Sequence, residues 1–243
     1  MLCLYLQAPF AACRTFTAGW YRPTAAFLTP SAAYGLLLNI AGIESRLYEH
    51  DPDHDGSAPA TLTRSKLPAV RIALGVLASG PLASSLPTVQ SIYQQLHNYP
   101  VGASGMPSEL TKGTKNNITP VRRELLCNLR CYICVDGNDD LEDRIRRGLN
   151  GEFNPTRYGI PFLGDNQFLL DRLQIEPDDC RRHAYWFEVV TEASSSKPRP
   201  HTTRLTVSIN RADMSRTVSH LYSPNAVSEL QPPPTAWVEI TST

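Results

Sequence analysis

The order in which apolar strands and helices alternate is the feature that most constrains the fold of this chain. Residue patterning predicts, in order, a strand at 2–7, a buried helix that begins near Pro30, strands at 70–77 and 121–135, a helix at 139–149 and a short fourth strand at 158–164. Four further strands are predicted at 184–191, 203–210, 217–222 and 237–241. The split β-α-β order of the first six elements predicts an α+β fold of the RRM-like or ferredoxin-like type.

The connection between the second and third strands is too long for an ordinary loop. Residues 79–119 are rich in Gly, Pro, Ser and Asn, and we interpret them as an inserted arm. A length of 243 residues leaves room for one large domain or two small ones. We predict a first domain at 1–165 that carries the arm, and a C-terminal antiparallel β extension at 166–243 packed on it.

The first predicted helix contains a glycine in its interior. Pro30 suits the first helical turn, and Gly35 lies within the apolar run that follows. A glycine inside a helix costs up to about 1 kcal/mol relative to alanine. We therefore expect close backbone packing or a bound ligand at Gly35.

The net charge argues against a nucleic-acid partner only when it is taken as a sum. The 23 Lys and Arg residues are balanced by 23 Asp and Glu residues. Residues 110–135 nevertheless carry five basic residues and one acid, whereas residues 47–60 carry four acids and no Lys or Arg. Of the basic residues 19 are arginines, whose planar guanidinium suits phosphates and bases, although GC-rich coding would give the same excess. The basic arm is therefore a candidate nucleic-acid interface.

Two segments have residue spacings that resemble metal-binding sites, but the surrounding sequence argues against metal binding in both. Cys127, Cys131 and Cys134 have the spacing of an iron–sulfur radical enzyme, but they lie on a predicted strand, with Cys127 and Cys131 on one face. We predict reduced, buried thiols, and keep a cysteine-ligated redox enzyme as a second hypothesis. The acidic loop 49–56 begins like a calcium loop, but Leu62 stands where a bidentate glutamate is needed. We expect no metal and no cofactor.

The N-terminal segment does not match a secretory signal. Residues 1–13 are apolar, but no positive charge precedes the apolar core. Residues 23–43 are uncharged, but polar residues and proline interrupt them well short of a spanning helix. These patterns predict a cytoplasmic protein with no membrane partner.

Several motifs together resemble those of CRISPR-associated protein family five, the RAMP subunits of type I Cascade surveillance complexes. They are Arg-Pro-Thr at 22–24, Thr-Pro-Ser-Ala-Ala-Tyr-Gly-Leu-Leu at 29–37, Ala-Leu-Gly-Val at 73–76, Gln-Gln-Leu-His-Asn-Tyr-Pro at 94–100, Pro-Val-Arg-Arg-Glu-Leu at 120–125 and Tyr-Gly-Ile-Pro-Phe-Leu-Gly-Asp-Asn at 158–166. The resemblance covers about residues 2–170 and is greatest to the type I-B branch. It implies that the first domain is a RAMP domain and that the arm is its thumb.

The resemblance also implies a role and a set of partners. Members cap the 5′ handle of the guide RNA and bridge the large subunit and the first backbone subunit; contact with target DNA near the PAM is a further candidate role. The charge map then gives the RNA-binding candidates, with the arm and its return strand first and the N-terminal region second: Lys112, Lys115, Asn116, Asn117, Arg122 and Arg123, then Arg14, Arg22 and Tyr34. The sheet lacks the aromatic pairs of RRM strands, so its open face is a weaker candidate.

One branch of the family cuts precursor RNA without metal, using Tyr, Lys and His. In the present chain residues 40–43 after the first helix contain no tyrosine, and no Lys-His pair occurs. We therefore predict a non-catalytic binding subunit. The alternative is a metal-independent endoribonuclease, for which His97 is the candidate acid or base.

Overall fold

A computed structural model describes most of the chain. The described residues are 1–15, 20–47, 62–64, 66–97, 118–154, 157, 159–191 and 199–241. The predicted RNA-binding residues Lys112, Lys115, Asn116 and Asn117 lie outside these ranges, as does the acidic loop 49–56.

Most of the predicted elements are present with nearly the predicted bounds. The N-terminal part contains β1 (Leu2–Ala11), β2 (Tyr21–Arg22), α1 (Pro30–Ile40), β3 (Val70–Leu77), α2 (Leu82–Ser85), β4 (Thr88–His97), β5 (Ile118–Asp136) and α3 (Asp139–Leu149). The C-terminal part contains β6 (Arg172–Ile175), β7 (Ala184–Val189), β8 (Thr203–Ser208), β9 (Val218–Pro224) and β10 (Val238–Ile240). Within the segment interpreted as an arm, β4 pairs antiparallel with β5 as a two-stranded ribbon.

The described strands form one large, mostly antiparallel sheet. Its order is β6-β1-β5-β3-β7-β9-β8, with β10 on β3 and both β2 and β4 on β5. Only the β2–β5 pairing is parallel. This sheet with few helices confirms the predicted α+β class. The boundary at residue 165 stays a prediction, because the sheet continues through both predicted domains.

The fourth strand is not where the sequence predicts it. Residues 160–164 form a loop with a single bridge from Phe162 to Leu169, and the strand that pairs with β1 is β6. A Cβ on Gly164 would lie 1.8 Å from the Ala12 carbonyl oxygen, and the Ala12 N–H donates to the Leu163 carbonyl at 3.0 Å. The apolar run is therefore a loop held across the end of β1, and its hydrophobic residues reflect that packing.

The helices α1 and α3 cover one face of the sheet. The Thr29 hydroxyl caps α1 by accepting from the Ala32 N–H, and the apolar side of α1 packs on the core of β1, β3 and β5. The helix α3 approaches α1 so closely that a Cβ on Gly148 would lie 1.8 Å from the Ile40 carbonyl oxygen. The glycine therefore permits this helix contact.

The other face of the sheet is covered by the C-terminal part of the chain. Tyr5, Tyr132 and Trp186 form a second buried cluster there. A Cβ on Gly75 would meet the Trp186 ring at 2.7 Å, and the Trp186 indole N–H donates to the Glu229 carbonyl. Bases cannot stack on this part of the face without displacing the cluster.

The prediction that Cys127 and Cys131 share a face of the strand is wrong. Asn128 between them has a φ of 60°, which interrupts the alternation of β5. Cys131 therefore packs in the main core, whereas Cys127 packs in a small cluster with Phe168.

The prediction that Cys127, Cys131 and Cys134 are reduced thiols is wrong for Cys134. Cys3 and Cys134 lie opposite each other on β1 and β5 and form a disulfide.

Among the described residues no group of three His, Cys, Asp or Glu side chains could hold a metal ion. None of the helices in the described ranges combines the length and the apolar character that a membrane span requires.

Candidate nucleic-acid interface

The short strand β2 brings arginines from three segments together. Its parallel pairing with β5 places Arg22 beside Arg123. A bridge between Arg14 and Thr24 brings the segment that follows β1 to the same place. The Thr24 hydroxyl fixes this geometry by accepting from the Cys13 N–H at 2.9 Å. We call Arg14, Arg22 and Arg123 the arginine cluster.

Arg123 is the buried member of the cluster. Its side chain is 7% exposed, Nη1 donates to Asp165 Oδ2 at 2.6 Å, and the guanidinium lies 5.0 Å from the centre of the Phe168 ring. Burial alone would raise the pKa of the Asp165 carboxyl. The Gln167 backbone N–H and the Arg123 guanidinium, which donate to it, more than offset burial and hold that pKa below its usual value.

Arg14 lies among the charges of the other two arginines and of Asp165. Burial lowers the pKa of the Arg14 guanidinium, and the neighbouring charges of Arg123 and Arg22 lower it further, whereas Asp165 raises it. Repulsion among the three arginines is relieved by an anion. Phosphate is the anion that suits their planar donors.

A second surface lies on the opposite side of the β4–β5 ribbon. Successive strand residues face opposite ways, so Arg122 points away from Arg123. The Arg122 guanidinium lies 5.2 Å from the centre of the Tyr21 ring and donates to the Ser91 hydroxyl at 3.3 Å. Its cross-strand neighbour Tyr93 is 80% exposed. We call Tyr21, Tyr93 and Arg122 the aromatic face; such a combination can stack unpaired bases and hold a phosphate.

Tyr34 is engaged elsewhere, in the core beneath α1. Its ring is buried, and its hydroxyl donates to the Pro68 carbonyl at 2.6 Å. Burial raises the pKa of this hydroxyl to about 12. A role for Tyr34 in RNA binding stays a prediction.

A cleft of about 770 Å³ opens beside the arginine cluster. We call it the α1 cleft: α1 forms one wall, the loop 160–164 and the end of the β8 segment form the others, and Arg14 lies at its edge. No local sequence pattern directly indicates this cleft, Asp165 as a counter-ion or the aromatic face. Gly35, which lines the cleft, is the one signal that could have indicated it.

Comparison with known proteins gives a consistent family. The family model described as CRISPR-associated protein (Cas_Cas5) matches residues 1–221. A search of curated proteins found no match. A solved structure described as a CRISPR RNA-guided surveillance complex is similar, with a TM-score of 0.54 and 14% identity over 97% of this chain and 92% of that chain. A second, described as a crystal structure of a Cas protein, has a TM-score of 0.46 and 12% identity over 95% of this chain and 94% of that chain. The chain belongs to the Cas_Cas5 family of CRISPR-associated proteins.

Proposed function

We propose that this chain is the non-catalytic RNA-binding subunit of a type I CRISPR surveillance complex, or Cascade. The observation that carries the proposal is the arginine cluster, in which Arg14 and Arg22 lie beside a buried Arg123 that is paired with Asp165. The family supports a role in CRISPR defence, and a similar solved structure is described as an RNA-guided surveillance complex. The type I-B assignment stays a prediction.

The finer role is to cap the 5′ handle of the guide RNA and to bridge the large subunit and the first backbone subunit. The order β6-β1-β5-β3, with α1 and α3 on one face, supports the interpretation as an RRM-like RAMP domain. The β4–β5 ribbon supports the interpretation of residues 79–119 as the thumb. The second buried cluster, of Tyr5, Tyr132 and Trp186, covers the other face of the sheet. We therefore assign RNA binding to the β4–β5 ribbon and to the arginine cluster where the ribbon joins the sheet.

RNA binding is tested by removing one arginine at a time from the two surfaces. We expect Arg22→Ala and Arg122→Ala each to weaken binding of a labelled single-stranded RNA. Each should flatten the plot of log affinity against log salt by about 0.7, the value for one phosphate contact on a single strand. Arg146→Ala is the matched control, since Arg146 lies on the exposed side of α3. Equal slopes for all three variants and the wild type would contradict the proposal.

Absence of catalysis is tested separately, with precursor RNA and EDTA. We expect the purified chain to leave the RNA intact. Specific cleavage in EDTA that His97→Ala abolishes would instead establish the endoribonuclease alternative.

A further inference from the structure

Gly35 is unexplained by packing. A Cβ built on Gly35 would meet no heavy atom of the described residues within 4 Å, in contrast to Gly148 on α3, where a Cβ would collide with backbone. The sequence predicts either close backbone packing or a bound ligand at Gly35. Among the described residues, close packing is therefore excluded. The helix keeps a poor helix former where it lines the α1 cleft, so the open space itself is the feature that needs explaining.

The lining of the cleft suits one unpaired nucleotide. Ile160 and Phe162, which are 61% and 45% exposed, provide apolar surface for the face of a base, and Ser31 provides a hydroxyl for its edge. The volume lies within the range of ordinary small-molecule sites. RNA-binding proteins read unpaired bases by this combination of stacking and edge contacts.

Arg14 connects the cleft to the arginine cluster. It lines the cleft, and its charge interacts with those of Arg22, Arg123 and Asp165. Arg211 also lines the cleft and is exposed. A strand whose phosphate lies at the cluster can therefore place its next nucleotide at the cleft, where Arg14 and Arg211 supply positive charge and Arg46 is paired with Glu44.

We propose that the α1 cleft receives one unpaired base of the bound RNA and that Gly35 is the gap that admits it. This inference rests on the proposed function and specifies which part of the RNA this site takes.

The test uses the full chain and a labelled single-stranded RNA of about 12 nucleotides, together with a series in which one position at a time is abasic. For the wild type we expect one position at which loss of the base weakens binding by about 5- to 150-fold, the range for one stacked base. Gly35→Leu places a branched side chain in the cleft beside α1. It should weaken binding of the intact RNA by a similar factor, abolish the abasic effect and leave the salt slope unchanged, because the arginines remain.

Two further variants keep the test decisive. Gly35→Ala places one methyl group in open space and should raise Tm by about 2–4 °C through helix propensity. A fall in Tm would show that Gly35 is needed for packing of the helix, and it would overturn the inference that Gly35 admits a base. If Gly35→Leu fails to fold, Phe162→Ala on the opposite wall removes stacking surface and should reduce the abasic effect; an undiminished effect would overturn the inference.

The outcomes separate this inference from the proposed function. Wild-type protein that binds no RNA would refute the proposed function. RNA binding without any sensitive position would refute the cleft inference alone. Unchanged binding and an unchanged abasic effect in Gly35→Leu would also refute it, and is the result expected if a protein segment occupies the cleft.

Discussion

The Asp165 carboxylate has two effects of opposite sign, and Asp165→Asn separates them. The carboxylate compensates the buried charge of Arg123, and it reduces the net positive charge of the arginine cluster. Asparagine keeps an oxygen that can accept from the Gln167 N–H, as Oδ1 does at 3.0 Å. The substitution therefore removes charge while the local turn is retained.

The stability effect follows from burial of the pair. The side chains of Arg123 and Asp165 are 7% and 16% exposed. Removing one partner of a buried ion pair costs about 3–5 kcal/mol. We expect the lower end, about 3 kcal/mol, because Asp165 retains some solvent and Arg123 keeps its contact with the Phe168 ring. For a chain of this size the loss lowers Tm by about 6–12 °C.

The effect on RNA binding has the opposite direction. With the carboxylate neutralised, one more positive charge is available to phosphate. Affinity at low salt should rise, and the salt slope should steepen by up to about 0.7. Fluorescence anisotropy between about 50 and 200 mM salt, at a temperature below both melting transitions, measures this change.

Asp143→Asn is the matched control. It makes the same charge change in an exposed pair on α3, where Asp143 is 65% exposed and 3.9 Å from Arg147. Exposed pairs contribute about 0–1 kcal/mol, so its Tm and RNA affinity should stay close to those of the wild type. An unchanged Tm in Asp165→Asn would refute the assignment of a buried pair. Weaker RNA binding by the folded variant would refute the assignment of the arginine cluster to RNA.

Three further predictions concern pH and the glycines. The lowered pKa of Asp165 stabilises the fold above the ordinary carboxyl value of about 3.9 and loses this effect as pH falls through the folded value, so urea midpoints of the wild type and Asp165→Asn should converge below about pH 4. Gly75→Ala forces a Cβ against the buried Trp186 ring and should cost about 1–3 kcal/mol in urea unfolding; equal midpoints would contradict the packed sheet face. Gly148→Ala should cost about 3 kcal/mol, since the Ile40 carbonyl cannot move aside as a rotamer can, and a gain in Tm like that expected for Gly35→Ala would show that the helices are not in close contact.

The sequence predicts elements well where the pattern belongs to the element itself. The apolar run of β3 and the capped, amphipathic α3 have the predicted bounds. The sequence does not predict strand β6, because this strand has only four residues and they are exposed or partly exposed. The loop 160–164 is more apolar and resembles a strand, but its composition reflects packing on the end of β1. The sequence also fails to predict which residues of β5 share a face of the sheet, because a left-handed φ at Asn128 leaves no pattern in the residues around it.

The candidate site depends on pairings that no local pattern specifies. Arg122 and Arg123 are adjacent in sequence and were predicted as one basic group, but strand alternation places them on opposite sides of the ribbon. Arg14 and Arg22 were secondary candidates, and the two-residue strand β2 brings them to Arg123. Such a short parallel pairing carries no periodicity, so only the folded chain shows it.

The burial of Arg123 assigns different tasks to the members of the arginine cluster. An arginine that is 7% exposed has little surface to offer a phosphate, whereas its charge acts on Arg14 through an interior of low dielectric constant. Asp165 stabilises that buried charge without cancelling the repulsion between Arg14 and Arg22. An anion that approaches Arg14 and Arg22 therefore meets a field to which the buried arginine contributes. A chain with equal numbers of acids and bases can in this way attract an anion at one place, because the field at the site depends on which charges are near it and not on their total.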